Sequence, residues 1–298
     1  MQYKTLGKST LYISRIGFGC MSLKPDQNDF NNIIDAAIDK GINYFDTADL
    51  YDKGQNEINL GKAFKGKRDK VIIASKAGNQ WRADGSGWDW NPRKDYILKC
   101  ADESLQRLQT NYIDLYQLHG GTMEDNIDES IEAFEMLIQQ GKIRYYGLSS
   151  IRPNVIREHV NRSKLVSVML QYSLLDRRPE ENILQLLQEN NIGIVTRGSV
   201  ASGLLINKPA KPYLNWNEEK VANAAKVVKA LSPGQRNPAQ TAIQYVLQSS
   251  AVTAAIIGMR TMQQLEDAVK AIEIPELTNE EMNVLRKNIP VNFYKEHR

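Results

Sequence analysis

The sequence predicts an α/β protein, a (β/α)8 TIM barrel with an N-terminal β-hairpin. Eight short apolar runs rich in Val, Ile, Leu and Tyr alternate with segments of helical periodicity, and this alternation is typical of a parallel sheet. Eight such units in 298 residues favour a closed barrel over an open doubly wound sheet. Because no low-complexity linker or shift in composition divides the chain, residues 1–298 are predicted to form one domain.

The chain begins with a hairpin signal, and the barrel units follow it. The segment YKTLGKSTLYIS contains two short strand-like runs around Gly7-Lys8, a pattern typical of a β-hairpin. The eight predicted barrel strands are RIGFG, NYFDT, VIIAS, IDLYQLH, RYYGLSS, VSVMLQYS, IGIVTRG and TAAIIG. In a barrel of parallel strands, the C-terminal ends of all strands meet at one mouth.

Apolar residues recur at helical spacing between these strands. The clearest sets are Ile97, Ala101, Leu105 and Leu108; Ile127, Ile131, Phe134 and Ile138; and Leu265, Val269 and Ile272. Asn91 and Pro92 are the predicted N-cap and first residue of the first helix, and Gly141 is the predicted C-cap of the second. Two long insertions, 79–92 and 198–219, follow strands, so we expect both on the rim where barrel active sites are built.

Composition and charge argue against several classes of protein. A net charge of +3 is too small to predict a nucleic-acid or membrane partner, and neither a signal-peptide pattern nor a membrane-spanning apolar run occurs in the sequence. The two cysteines, Cys20 and Cys100, form neither a metal-ligand spacing nor a disulfide framework. We therefore expect a cytoplasmic protein without a bound metal, present as a monomer or a weak homo-oligomer.

Four ionisable side chains fall at or just after the C-terminal ends of three predicted strands. Asp46 ends the second strand, Tyr51 lies in the loop after it, Lys76 follows the third strand and His119 ends the fourth. A carboxylate, a phenol, an ammonium and an imidazole in one pocket can transfer protons. We expect Lys76 to lower the pKa of Tyr51 and Asp46 to hold Lys76. His119 would orient a substrate oxygen or share its proton.

The motifs around these residues resemble those of the aldo-keto reductase family. The segments YFDTADLYDKGQNE, IIASKAG, DLYQLHGG, GLSS and MLQYSLLD carry the resemblance, which extends over almost the whole chain. It implies a TIM barrel that uses NADPH to reduce a carbonyl group, with hydride passing to the carbon and a proton to the oxygen. By this resemblance Tyr51 is the general acid, Lys76 and Asp46 tune its pKa, and His119 orients the carbonyl.

The resemblance also implies a set of cofactor-binding residues. They are Asp46, Ser149, Gln171, Arg197, Gly198, Ser199, Gly203, Leu204, Arg260 and Gln264. Ser149 and Gln171 correspond to residues that bind the carboxamide, and Asp46 borders the nicotinamide ribose. Arg197 stands where many members have an aromatic residue that stacks on the nicotinamide, and a guanidinium can stack on a flat ring or reach a phosphate.

The other implied cofactor residues lie further from the nicotinamide. The segment with Gly198, Ser199, Gly203 and Leu204 lines the pyrophosphate. Arg260 and Gln264 correspond to the adenosine end, where an arginine can pair with the 2′-phosphate.

The predicted substrate-binding residues are Met21, Tyr51, Trp88, Trp90 and His119. The tryptophans of insertion 79–92 either pack within the loop or form a wall of the pocket, and Met21 either fills the barrel or lies in the pocket. The other two histidines, His159 and His297, are predicted on the surface.

The expected function is the NADPH-dependent reduction of aldehydes and some ketones, with a small-molecule carbonyl compound as substrate. The alternative is a regulatory or redox-sensing subunit that binds the cofactor tightly and turns over slowly. A metal-dependent barrel hydrolase would need His and Asp clusters at ligand spacing, which the sequence lacks.

Overall fold

Eight parallel strands form a closed barrel in the computed structural model, which describes residues 1–232, 234 and 236–298. The strands are β1 (Tyr3–Thr5), β2 (Tyr12–Ser14), β3 (Ile16–Gly19), β4 (Tyr44–Asp46), β5 (Ile72–Ala77), β6 (Asn79–Trp81), β7 (Trp88–Trp90), β8 (Ile113–Leu118), β9 (Ile143–Ser149), β10 (Ser167–Gln171), β11 (Gly193–Arg197) and β12 (Val252–Gly258). The barrel order is β3-β4-β5-β8-β9-β10-β11-β12, and β12 pairs with β3 to close it. The predicted barrel is therefore confirmed, with all eight predicted strands in it.

The barrel strands are buried on both faces, which explains their nearly continuous apolar sequences. All six residues of β8 are buried, and so are six of the seven residues of β12. One face of each strand fills the barrel and the other packs against the surrounding helices, so polar residues are concentrated at the strand ends.

Helices surround the barrel on the outside. They are α1 (Phe30–Asp39), α2 (Gln55–Ala63), α3 (Lys94–Leu108), α4 (Ile127–Gln139), α5 (Pro153–Arg162), α6 (Ile183–Glu189), α7 (Glu218–Ala230), α8 (Pro238–Leu247), α9 (Met262–Lys270) and α10 (Asn279–Asn288). The predicted C-terminal signal of α4 is confirmed, since Gly141 follows the helix with a φ of 70°, a conformation that favours glycine.

Three details of the helices differ from the sequence predictions. The helix α3 begins at Lys94 with Arg93 as its N-cap, whereas Asn91 lies in the rim loop, where its N–H donates to the Gly78 carbonyl at 2.8 Å and its Nδ2 donates to Gln80 Oε1 at 2.7 Å. The helix α9 ends at Lys270, so Ile272 lies beyond it. His159 is 6 % exposed on the inner face of α5, and its predicted place on the surface is wrong.

The N-terminal hairpin, β1 and β2, packs against the end of the barrel opposite the mouth. Leu6, Leu11 and Ile13 are at most 2 % exposed and belong to the same apolar cluster as the side chains inside the barrel. Gly7 has a φ of 54°, and a Cβ there would lie 2.4 Å from the Val166 carbonyl oxygen. Only glycine allows the turn to approach the barrel this closely.

The two long insertions lie at the C-terminal rim, as predicted, and both contain local structure. Residues 79–92 form an antiparallel hairpin from β6 and β7, with Trp81 opposite Trp88. Residues 198–219 contain a short 3-10 helix, Ala201–Gly203, and a bridge between Tyr213 and Trp216.

The described part of the chain has no helix that is long and apolar enough to cross a membrane. Within the same residues, no group of three or more His, Cys, Asp or Glu side chains is arranged to hold a metal ion.

Candidate active site

The barrel brings the four ionisable side chains together at its mouth. Asp46 is the last residue of β4, Lys76 lies one residue before the end of β5, and His119 follows β8. These strands are hydrogen-bonded neighbours in the sheet. Tyr51 begins a short 3-10 helix, Tyr51–Gly54, after β4. The clustering follows from parallel strand order and requires no closeness in sequence.

Lys76 is the centre of this cluster. Its side chain is 0 % exposed, and Nζ donates to Asp46 Oδ1 at 2.6 Å, to the Thr47 carbonyl at 2.7 Å and to the Tyr51 hydroxyl at 3.3 Å. Burial alone would lower the pKa of Lys76, but Asp46 and Tyr51 outweigh it and raise the pKa above its usual value. Lys76 is therefore a buried ammonium whose three donors all have partners.

Tyr51 is protonated at neutral pH. Burial raises the pKa of its hydroxyl above the ordinary value, and the nearby charges of Lys76 and Arg197 only partly oppose this. Lys76 acts in the predicted direction and lowers the pKa of Tyr51, but desolvation of the phenolate outweighs the attraction of the ammonium, so the net shift is upward. A protonated phenol beside a fixed ammonium can still donate a proton, since the ammonium stabilises the phenolate that forms.

His119 is neutral in this environment. Burial, followed by the charges of Lys76 and Arg197, lowers the pKa of its imidazole to about 3. Its ring meets the Tyr51 ring edge-on at 6.0 Å between centroids, and its carbonyl accepts from Asn79 Nδ2 at 2.9 Å. A neutral imidazole has one N–H donor and one acceptor nitrogen, so His119 can bind a carbonyl oxygen without adding a positive charge.

The loop that carries Tyr51 has an unusual backbone that the rim hairpin supports. Asp52 and Lys53 have φ values of 50° and 55°, which non-glycine residues adopt only when the surroundings hold them. Trp81 Nε1 donates to the Leu50 carbonyl at 3.2 Å, and Lys53 Nζ lies 5.1 Å from the Trp81 ring centroid. The sequence did not reveal this support, because β6 and β7 were not predicted.

A cavity of about 720 Å³ opens above the four ionisable residues. Its lining includes all five predicted substrate residues: Met21, Tyr51, Trp88, Trp90 and His119. Trp90 also donates from Nε1 to Asp125 Oδ1 at 2.9 Å, so the tryptophans both pack within the rim and form a wall. Trp81 and Arg152 line the cavity as well; Arg152 was not predicted, since no motif singles out an arginine before a helix.

Ser149, Gln171 and Arg197 end the strands β9, β10 and β11 on the other side of the mouth. Arg197 Nη1 donates to Gln171 Oε1 at 2.8 Å, and Gln171 Nε2 donates to Asp176 Oδ2 at 2.9 Å. Asp176 is 0 % exposed and accepts two hydrogen bonds from Arg178. The buried Asp176 therefore orients Gln171, a connection that sequence spacing did not reveal.

The segment after β11 lies beside these strand ends. Gly198 and Gly203 have φ values of 75° and 90°, which favour glycine. Ser199 is buried, and its Oγ has no hydrogen-bond partner among the described residues. The Leu204 side chain is 1 % exposed in the hydrophobic core, and its N–H donates to the Ala201 carbonyl, so its place in the cofactor set stays a prediction. Leu204 anchors the segment and presents no side chain to a ligand.

Arg260 and Gln264 lie at the N-terminal end of α9. Both are exposed, and the Arg260 N–H donates to Gln264 Oε1 at 2.8 Å. Asp267 on the same helix accepts from Asn237 Nδ2 at 2.8 Å, which turns its carboxylate toward α8. The guanidinium of Arg260 has no carboxylate within 4.0 Å in the described part of the chain.

The fold and the site together define an oxidoreductase barrel, and comparison with known proteins identifies its family. The Aldo/keto reductase family profile matches residues 15–289. The chain therefore belongs to the aldo/keto reductase family and is an NAD(P)H-dependent oxidoreductase. It is 48% identical over 307 residues to the uncharacterized oxidoreductase YqkF of Bacillus subtilis, with 100% of both chains covered.

Solved structures agree with this family. The holo form of aldo-keto reductase AKR11C1 from Bacillus halodurans matches with a TM-score of 0.94 and 47% identity, covering 100% of this chain and 99% of that one. The apo form of the same protein matches with a TM-score of 0.85 and 44% identity over the same shares. The glycerol dehydrogenase AKR11B4 from Gluconobacter oxydans matches with a TM-score of 0.86 and 26% identity, covering 99% and 98%.

Proposed function

We propose that this protein reduces aldehydes, and some ketones, to alcohols with NADPH, and that Tyr51 donates the proton. The observation that carries the proposal is the set of contacts made by buried Lys76, whose Nζ contacts both Asp46 and Tyr51 beneath a cavity of about 720 Å³. A fixed ammonium stabilises the phenolate that forms as the proton leaves.

The residues across the mouth fit a dinucleotide. Ser199 Oγ is a buried polar atom without a protein partner among the described residues, and Gly198 beside it has a φ of 75°, which favours glycine. We assign Ser149, Gln171 and Arg197 to the nicotinamide, and Gly198, Ser199 and Gly203 to the pyrophosphate. A reduced nicotinamide bound there supplies the hydride.

The adenosine end supports a preference for NADPH over NADH. Arg260 lies just before the N-cap of α9, Thr261, where the positive end of the helix dipole also favours an anion. Gln264 accepts from the Arg260 backbone and shapes this end of the site. A 2′-phosphate would receive charge-assisted hydrogen bonds that NADH cannot receive.

In the tetrad of Asp46, Tyr51, Lys76 and His119, each side chain has a distinct task. Neutral His119 binds and orients the carbonyl oxygen, Tyr51 transfers its proton to that oxygen, and Lys76 stabilises the phenolate. Asp46 keeps Lys76 in place through the 2.6 Å contact. Trp81 supports the Tyr51 loop through its contacts with the Leu50 carbonyl and the Lys53 side chain.

A panel of aldehydes and ketones, assayed with NADPH and NADH in parallel, tests this function. We expect steady-state oxidation of NADPH with simple aldehydes and weaker activity with NADH. Tight NADPH binding without turnover of any carbonyl compound would contradict the proposal and support the regulatory or redox-sensing alternative.

A further inference from the structure

The cavity above the tetrad has walls of different chemistry. One wall is aromatic, formed by Trp81, Trp88 and Trp90. The lining also contains two guanidinium groups, those of Arg152 and Arg197. An aromatic wall suits the body of an apolar substrate, whereas two cations suit an anionic group on the same molecule.

Arg152 has more N–H donors in the cavity lining than its protein contact uses. Its Nη1 donates to the Gly121 carbonyl at 2.6 Å, which holds the side chain in the cavity lining. A guanidinium has five N–H donors, and no carboxylate lies within 4.0 Å of Arg152 among residues 1–232, 234 and 236–298. Arg152 is also half-buried, so its charge has lost part of its hydration without gaining a counter-ion.

Arg197 is the second cation of the cavity lining, and its charge acts on the tetrad. Its charge contributes to lowering the pKa of His119 and opposes the rise in the pKa of Tyr51, so its field reaches the place where the carbonyl is expected. In the cavity lining, one carboxylate, Asp52, stands against the two guanidinium groups. With His119 neutral, the charges of these lining side chains favour an anionic ligand.

We propose that the cavity selects carbonyl compounds that carry a carboxylate, and that Arg152 binds this carboxylate. The inference rests on the proposed carbonyl reduction and names its substrate class. The carboxylate takes no part in the chemistry. Hydride from NADPH adds to the carbonyl carbon, a proton from Tyr51 adds to the carbonyl oxygen, and the carboxylate group is unchanged in the product. An apolar or aromatic body between the two groups packs against the tryptophans.

A matched pair of aldehydes tests the assignment of Arg152. The pair is 4-carboxybenzaldehyde and 4-methylbenzaldehyde, which have similar size and differ in charge. We expect Arg152→Gln to lower kcat/KM for the carboxylate compound by about 10- to 100-fold, mainly through KM, because one charge-assisted contact is lost. The methyl compound should change by less than about threefold, because it makes no such contact.

Two further variants separate a specific contact from a general loss of charge. Arg157→Gln removes the same charge from α5 but lies outside the cavity lining, and it should leave the ratio of the two substrates unchanged. Arg152→Lys keeps the charge and loses the bidentate fork, so it should restore part of the preference. Thermal unfolding of each variant checks that the fold is intact.

A binding experiment makes the inference independent of turnover. Titration of 4-(hydroxymethyl)benzoate into the protein with NADP⁺ should show binding that weakens with salt and is lost in Arg152→Gln. Equal effects of Arg152→Gln on both aldehydes, or unchanged binding of the benzoate, would overturn the inference while leaving carbonyl reduction intact. Failure of wild type to reduce any compound of the carbonyl panel would instead refute the proposed function, and the titration would still decide whether Arg152 binds a carboxylate.

Discussion

The double variant Lys76→Met, Asp46→Asn separates the catalytic role of the ion pair from its structural role. Lys76→Met alone would leave the Asp46 carboxylate buried without its partner, which typically costs about 3–5 kcal/mol of stability. The double variant removes both charges and keeps side chains of similar size. We therefore expect its free energy of unfolding to lie much closer to that of wild type than the single variant's does.

The structure also sets the expected loss of activity. Lys76 Nζ lies 3.3 Å from the Tyr51 hydroxyl, and at an effective dielectric constant of about 20 a full phenolate at this distance gains about 5 kcal/mol. The transition state carries only part of that charge, and loss of the negative Asp46 offsets part of the effect. A net loss of roughly 3–4 kcal/mol corresponds to a fall in kcat of about 10²–10³-fold.

The assay combines steady-state rates with NADPH binding and a pH profile. Oxidation of the alcohol by NADP⁺ requires the Tyr51 phenolate, so its rate should rise with pH, and in the double variant this rise should move to higher pH. The NADPH titration reports separately on Asp46, which is predicted to border the nicotinamide ribose. Lys62→Met, at an exposed position on α2 and outside the cavity lining, serves as the control and should retain activity within a few-fold. A double variant with a wild-type kcat and pH profile would refute the role of Lys76.

Three other predictions address the donor, the cofactor and the stability of the protein. Tyr51→Phe should lower carbonyl reduction by about 10²–10⁴-fold or more with little change in NADPH binding, and activity within a few-fold of wild type would rule Tyr51 out as the donor. Arg260→Ala should lower the affinity for NADPH about 10- to 100-fold and the affinity for NADH much less, as measured by paired fluorescence titrations. Lys270→Ala, at the other end of α9, should lower neither affinity. An equal loss of affinity for both cofactors in Arg260→Ala would contradict the assignment. Burial, followed by the charge of Glu57, raises the pKa of Asp49 from 3.8 to about 7, so the folded state holds the proton more tightly and stability should fall as pH rises between these values. Asp49→Asn should remove this dependence, so that the free energy of unfolding of the variant rises relative to that of wild type by up to about 4 kcal/mol between pH 4 and 8, as measured by urea unfolding. A difference in stability that does not vary with pH would refute the argument.

Local sequence signals predicted the parts of the structure that depend on local chemistry. The barrel strands are short apolar runs because both of their faces are buried, and such runs are visible without the fold. Gly141 ends α4 as predicted because glycine adopts positive φ at low cost. By contrast, the predicted N-cap of α3 was wrong, since Asn91 is held in the rim loop by its contacts with Gly78 and Gln80, which only the tertiary structure brings near.

The site shows the same division between motif and environment. The motifs placed Asp46, Lys76 and His119 correctly at neighbouring strand ends. They did not predict that burial raises the pKa of Tyr51, because desolvation depends on every atom packed around the hydroxyl. The same holds for Leu204, whose side chain is in the core although the segment around it follows the strand end at Arg197.

The sequence by itself determined the barrel and the identity of the residues that meet at the mouth, and it predicts a single domain. Periodicity and strand order can be read from the sequence, and in a closed parallel barrel the residues at the C-terminal ends of the strands meet at the mouth. Only the tertiary structure decided the direction in which the pKa values of Tyr51 and His119 shift, the support of the Tyr51 loop by Trp81, and the presence of Arg152 in the cavity. These depend on contacts between segments far apart in sequence, because burial and electric field are summed over the packed molecule and no single segment carries them.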